Sequence, residues 1–205
     1  MKIIAIASQK GGGGKTTLAA HLGVHAASLG RRVVFVDLDP QQSLAAWWGD
    51  READMPQLIT ATLEEIAGGQ LRRLPADLVL VDTPPAHDSE VRVMAALQAA
   101  DLAVVPVRPS RLDLAAVART AGLAKAAGVT TRYVISQAVS RSNLAGEAVT
   151  VVSKFGPIAG VVHGRTLFAS AMTDGRTAGE IEPRGKAAEE MATLWENLEE
   201  VLRNG

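Results

Sequence analysis

Four consecutive glycines sit near the amino end, within Ser8-Gln9-Lys10-Gly11-Gly12-Gly13-Gly14-Lys15-Thr16-Thr17. They follow an apolar run, Lys2–Ala7. They precede a pattern in which Leu18, Leu22, Ala26 and Leu29 recur at steps of four and three, as on one face of a helix. Strand, glycine loop, helix is a combination with one well-understood use. Glycine has no Cβ, so Gly11, Gly12, Gly13 and Gly14 let the backbone turn its N–H groups inward around phosphate oxygens. A helix beginning at Lys15 aims the positive end of its dipole at the same anion. Lys15 then lies along the β- and γ-phosphates, and the Thr16 hydroxyl is placed to ligate Mg²⁺. Gly11 to Gly14, Lys15, Thr16 and Thr17 are the candidate nucleotide contacts.

The rest of the chain alternates in the same way. Continuous apolar runs occur at Val33–Leu38, Leu78–Val81, Leu102–Val107, Arg132–Ser136 and, more weakly, Ile158–Val162. Runs without period-2 alternation suit strands buried on both faces of a parallel sheet. Helical patterns lie between them, and Gly30 ends the first helix as a C-terminal glycine should. On the last helix Ala187, Met191, Leu194, Leu198 and Val201 face one way. The expectation is a doubly wound α/β domain over residues 1–205, mostly parallel, with helices on both faces of the sheet. Gly49–Pro56 reads as a polar loop rather than a domain boundary.

Composition removes several alternatives. Hydrophobic residues make up 47% of the 205, enough for a core, so a disordered chain is excluded. Cysteine is absent, which excludes disulfides, iron–sulfur clusters, thiolate zinc sites and cysteine nucleophiles. Aromatics at 3% leave little for base-stacking platforms. No run approaches the roughly 20 apolar residues that a membrane crossing needs. A cytoplasmic protein is expected.

Two more strands end in acidic turns. Val33–Val36 runs into Asp37-Leu38-Asp39-Pro40-Gln41-Gln42, and Leu78–Val81 into Asp82-Thr83-Pro84-Pro85. An Asp-Pro pair is also an ordinary turn signal. Three such elements, each after a buried strand, converge at the carboxyl edge of an α/β sheet, where ligands bind.

The loop lacks the usual Gly six residues before Lys15. Gln9 stands there and Lys10 follows. This resembles the deviant Walker A motif of the ParA/MinD/Soj family of P-loop ATPases. The resemblance extends to Val105-Pro106-Val107-Arg108-Pro109-Ser110 and to the block from Arg165 to Ala188. It therefore covers nearly the whole chain, and the short length is similar to the small ParA type. It implies an ATP- and Mg²⁺-dependent hydrolase with catalytic residues Lys10, Lys15 and Asp39. Lys10 would reach across a nucleotide-sandwich homodimer, and Asp39 would orient the attacking water. Thr16, Asp39 and Asp82 would hold or approach the metal. An Asn often touches adenine at the end of the fifth strand; Ser136-Gln137 stands here, and Gln137 is the candidate contact. The resemblance also implies non-specific, nucleoid-associated DNA binding, with Arg165, Arg184 and Lys186 as candidates. A ParB-like or other adaptor would stimulate hydrolysis during plasmid or chromosome partition. Two alternatives remain open on the same residues: positioning of a non-DNA cargo such as a microcompartment, and an ATP-dependent metabolic synthetase.

The charge distribution reads either as ordinary solvated faces or as a basic face that would serve the DNA expectation. The net charge is −1, but residues 101–186 carry a net +5, including Arg132, Arg141, Lys154 and Arg176, and residues 187–205 carry −4. The physics would be phosphate neutralisation without base readout. The acidic last helix argues against attachment to a membrane surface. His21 and His25 are four apart, which reads as a half-exposed helix face rather than a zinc site. His87 and His163 stand near strand ends and read as structural. Adjacent Trp47 and Trp48 point about 100° apart on a helix. One is expected in the core; the other is open to packing or to a partner.

Overall fold

The computed structural model describes residues 1–140 and 142–204, so Arg141 lies outside the described residues. Seven strands form one sheet: β1 (Lys2–Ile6), β2 (Val33–Asp37), β3 (Gln57–Ile59), β4 (Leu78–Asp82), β5 (Leu102–Val107), β6 (Thr130–Ala138) and β7 (Ile158–His163). Their order is β3-β2-β4-β1-β5-β6-β7, and every neighbouring pair is parallel. The helices are α1 (Lys15–Ser28), α2 (Ser43–Gly49), α3 (Leu63–Ala67), α4 (Glu90–Ala99), α5 (Arg111–Ala127), α6 (Leu144–Val152), α7 (Thr166–Ala171), α8 (Ala178–Ile181) and α9 (Lys186–Asn204).

The sheet is buried on both faces, which explains its unbroken apolar runs. In β1, Ile4 and Ile6 point into one core with α1, α2 and α7 to α9; Ile3 and Ala5 point into the other with α3 and α4. A third cluster seats α5 and α6 against β5 and β6. Helix α1 lies so close to the sheet that a Cβ on Gly23 would fall 2.2 Å from Cε1 of Phe35. Phe35 in turn packs edge-on against Trp47, with centroids 6.0 Å apart.

The pairing register places the chemistry. Ile6 and Asp37 both pair with Asp82, so the ends of β1, β2 and β4 lie level at the carboxyl edge. The glycine loop leaves from the same edge. The expected class is therefore found, with strand ends shifted by one residue in β1, β2, β4 and β7 and with two larger differences. Strand β3 was not anticipated, because three edge residues are too few to show a pattern. β6 runs from Thr130 to Ala138, beyond the expected Arg132–Ser136, through flanking residues that are polar or small.

Both adjacent tryptophans belong to packing. Trp47 is buried and donates its indole N–H to the Arg176 carbonyl at 3.0 Å. Trp48 is half-buried and donates to Pro56 O at 2.7 Å. On α9 the buried side chains are Ala187, Met191, Leu194, Trp195, Leu198 and Leu202, while Val201 is half-buried. Among the described residues, no helix is long and apolar enough to cross a membrane.

Candidate functional site

The glycine loop runs from β1 to α1 with Gly12 at φ 74° and Gly14 at φ 87°, left-handed conformations that cost L side chains steric strain. Three of the loop's carbonyls accept side-chain hydrogen bonds, two of them from β6. Ser8 Oγ donates to Lys10 O (2.9 Å), Gln137 Nε2 to Gly12 O (2.9 Å) and Ser136 Oγ to Gly13 O (3.0 Å). With its acceptors so occupied, the loop presents donors to an anion. Helix α1 adds to this. Its N-cap, Gly14, supplies no side-chain hydrogen bond, and no acidic residue stands in the first turn. Elsewhere Thr62 caps α3 and Ser110 caps α5 with their side chains. The uncapped α1 leaves its first-turn N–H groups for a ligand.

A cavity of about 1070 Å³ opens over this edge. Gly11, Gly12, Gly14, Lys15, Thr16, Thr17, Asp39 and Gln137 all line it, so the structure brings most of the expected contacts together. A second cavity of about 550 Å³ shares Gly14, Thr17 and Gln137 and extends between β6, β7 and α7.

Asp82, at the end of β4, is fully buried. Thr16 Oγ1 donates to its Oδ2 at 2.6 Å, and its Oδ1 has no partner. Burial pushes the Asp82 carboxyl up to about 7. The Thr16 hydrogen bond opposes that shift, Asp37 and Asp39 reinforce it, and the Lys15 charge opposes it. A hydroxyl and an orphaned carboxylate oxygen side by side suit a hard divalent cation, which takes oxygen ligands. These residues therefore fit Mg²⁺. Burial also lowers Lys15 from its ordinary range, while Asp82, Asp39 and Asp88 pull it back up. A phosphate would favour its charged form in the same way.

Asp39 reaches the cavity through a turn that Asp37 organises. Asp37 Oδ1 accepts from Asp39 N, and its Oδ2 accepts from Leu44 N and Ala45 N, all at 3.0 Å. The Asp39 carboxylate accepts from Gln41 N at 3.0 Å. Lys10 does not enter this cavity. Its Nζ donates to Leu112 O, on the first turn of α5, at 3.2 Å.

The three basic candidates differ. Arg165 pairs with Glu190 at 2.5 Å and lines the second cavity. Arg184 and Lys186 are exposed, lie outside both cavities and form no ion pair among the described residues. His163 Nδ1 meets Glu190 (2.9 Å), and His87 Nδ1 meets Gln9 O (2.7 Å), so both have structural partners. His21 corrects the expectation of a half-exposed face. It is buried, with Nδ1 against Thr17 O at 2.8 Å and Nε2 accepting from Ala178 N at 2.9 Å. An apolar neighbour, Phe168, covers its ring edge-on at 5.0 Å. Ser136 and Arg108 were not anticipated. The Arg108 guanidinium lies against the Gly12 backbone, with Nη1 3.4 Å from where a Cβ would stand. Neither had a local signal, since both reach the loop from other strands.

A glycine loop with an uncapped helix, a buried Lys and a Thr–Asp pair, at the carboxyl edge of a parallel sheet, defines a P-loop nucleotide-binding protein. Residues 4–201 match the CobQ/CobB/MinD/ParA nucleotide-binding domain, and the chain belongs to that family. It is 31% identical over 196 residues to the maintenance of carboxysome distribution protein A of Halothiobacillus neapolitanus, covering 90% of each chain. It is 36% identical over 147 residues to the chromosome-partitioning ATPase Soj of Thermus thermophilus, covering 56% of this chain and 58% of that one. The fold matches the cell division ATPase MinD of Pyrococcus furiosus with a TM-score of 0.83 at 21% identity, covering 98% and 99%. Among the solved structures with this fold, MinD of Pyrococcus horikoshii holds Mg-ADP and MinD of Aquifex aeolicus is complexed with MinC.

Proposed function

We propose that this chain is an Mg²⁺-dependent ATPase that positions an intracellular cargo, cycling between an ATP-bound homodimer and a released form. The carrying observation is the shared cavity: Lys15, Thr16 and Asp39 line the space that the glycine loop frames, and Thr16 donates to the buried Asp82. Bound Mg²⁺ supplies charge neutralisation at the phosphates. Lys15 and the loop N–H groups bind the phosphate oxygens and offset charge that develops on them. Asp39 orients the attacking water, and Gln137, which lines both cavities, is the candidate contact for the base. Lys10 acts across the dimer; exposed Leu112 beside it and exposed Val91 on α4 supply apolar contact for a second copy.

The relative that matches along 90% of both chains is named for carboxysome distribution, which favours a non-DNA assembly as cargo over plasmid or chromosome partition. Non-specific DNA would then be the track, held by the basic second half, and an adaptor would stimulate turnover. The partition reading uses the same residues and differs only in what the adaptor carries. A metabolic synthetase would instead need a carboxylic acid substrate. The test is the response of ATP hydrolysis. Stimulation by DNA with a co-purified adaptor is expected. Stimulation by a small carboxylic acid alone would overturn the positioning reading, and identification of the pulled-down adaptor's cargo separates the other two.

A further inference from the structure

Arg51 follows α2 in a loop whose other charged residues, Asp50, Glu52 and Asp54, face solvent. Its own side chain turns inward and is only 4% exposed. The guanidinium lies 5.4 Å from the centroid of the Trp47 ring. Nε donates to Met55 O (3.1 Å), and Nη1 donates to Gly175 O (2.8 Å). Both terminal nitrogens grip Glu180, Nη2 to Oε1 at 2.6 Å and Nη1 to Oε2 at 3.0 Å. Such a fork is the strong, direction-fixing form of an ion pair.

Glu180 belongs to α8 and is itself held there. It accepts from Thr177 N (2.8 Å) and Thr177 Oγ1 (2.9 Å), closing a capping box. Burial alone would push Glu180 up, and the Arg51 and Thr177 hydrogen bonds outweigh it, keeping the carboxyl ionised. Helix α8 is fastened in turn to α1, because Ala178 N donates to His21 Nε2, whose Nδ1 meets Thr17 O. A continuous bridge thus runs from Thr17, next to the metal-binding Thr16, through His21, α8, Glu180 and Arg51 to α2. Trp47 adds a parallel tie to Arg176 O. At the far end, Asp37 binds α2 and the Asp39 amide together, so the Asp39 turn moves with α2.

Lys15 and Thr16 stand at the start of α1, and Asp39 stands just before α2. Hydrolysis needs the phosphate held by the first pair to sit at a fixed distance from the water held by Asp39. We propose that Arg51 and Glu180 are positioning residues for this reaction, setting the Asp39 turn against the phosphate loop through α8. Neither lines the phosphate cavity, so they act on geometry and not on binding. The proposal rests on the ATPase reading above. A misplacement of about 1 Å is enough to cost orders of magnitude in rate while leaving ground-state contacts in place.

The test uses the full chain with Arg51→Lys, Glu180→Gln and the double variant. Arg51→Lys keeps the charge and loses the fork; Glu180→Gln puts an amide donor where Oε2 now accepts. Single-turnover hydrolysis of radiolabelled ATP with Mg²⁺ gives the rate, a fluorescent ATP analogue gives affinity, and circular dichroism checks folding. Each single variant is expected to slow hydrolysis about tenfold with affinity within about twofold of wild type. The double variant should be no slower than either single one, since the two act as one unit. An unchanged rate in either folded variant, affinity lost in step with rate, or unfolding of both singles would overturn the proposal. Lys15→Ala separates the underlying reading. ATP bound equally with and without Lys15 would sink the nucleotide site itself, and Lys15-dependent binding without turnover in wild type would remove the hydrolysis that both readings need.

Discussion

Lys10 and Lys15 carry the same charge, yet the fold gives them opposite surroundings. Lys15 is buried at the start of α1 among Asp39, Asp82 and Asp88, whereas Lys10 leans outward onto a carbonyl of α5. Lys15→Ala should therefore weaken ATP binding by about a hundredfold, the scale of a lost charge-assisted contact in a partly dry site. Lys10→Ala should leave monomer affinity within about twofold and abolish ATP-dependent dimerisation, as read by light scattering with ATP and with ADP. A normal ATP dimer in the Lys10 variant would place that lysine on the surface only. On the proposed function, Asp39 serves the reaction more than binding. Asp39→Ala should slow hydrolysis about a hundredfold and accumulate the ATP dimer in size-exclusion chromatography. If that variant ran as a monomer with ATP, the carboxylate would be an assembly residue.

At the scale of elements, α1 is the helix on which the site depends, and two of its residues set how it docks. Gly23 faces Phe35 with no room for a methyl group. Gly23→Ala gains up to about 1 kcal/mol of helix propensity. The overlap with the ring and with Leu80 costs more, typically about 1–3 kcal/mol, so the melting temperature should fall. A rise in melting temperature would mean that α1 docks further from the sheet. His21 gives the same helix a pH signature. Burial, opposed only partly by the Thr17 carbonyl and by Glu180, lowers it to about 4, against 6.5 for the free side chain. Protonation would also set a second N–H against the Ala178 amide. The unfolded chain takes up this proton below pH 6.5 and the folded chain resists it to about pH 4. Stability contributed by the neutral ring is thus complete above pH 6.5 and is lost as pH falls through that window, by an amount of order 3 kcal/mol. His21→Gln should flatten the difference between urea unfolding at pH 7 and at pH 5. Equal pH dependence in the two proteins would show that the ring titrates normally.

Over the whole molecule, charge is sorted by region and only some of it is available. The net charge of −1 predicts weak DNA binding by a monomer; on the proposed function the +5 of residues 101–186 would supply contacts that a dimer would double. Arg165 is engaged by Glu190, whereas Arg184 and Lys186 are exposed on the turn into α9. Removing Arg184 and Lys186 should lower the log–log salt slope of DNA binding by roughly one unit each and weaken all DNA sequences alike. Arg165→Ala should have the smaller effect. A salt titration with ATP and with ADP measures this, and equal affinity in both nucleotide states would detach DNA binding from the ATP cycle.

Much of this was readable in the sequence because it is local. Four glycines between an apolar run and a helical repeat specify strand, loop and helix within some thirty residues. Buried runs ending in Asp37-Leu38-Asp39 and Asp82-Thr83 place carboxylates at one sheet edge once the sheet is parallel. Burial and pairing were settled elsewhere. The one-face repeat of α1 could not reveal that His21 would meet Ala178, 157 residues away. Nothing near Gly12 and Gly13 announces that their carbonyls are taken by Gln137 and Ser136, 125 and 123 residues downstream. The Arg51–Glu180 fork spans 129 residues, and each half alone resembles an ordinary surface charge. Periodicity and backbone freedom act over a few residues and so are written in short stretches of sequence. A hydrogen bond across the molecule forms only after sheet register and helix packing have brought its two ends together, and that register is a property of the folded whole.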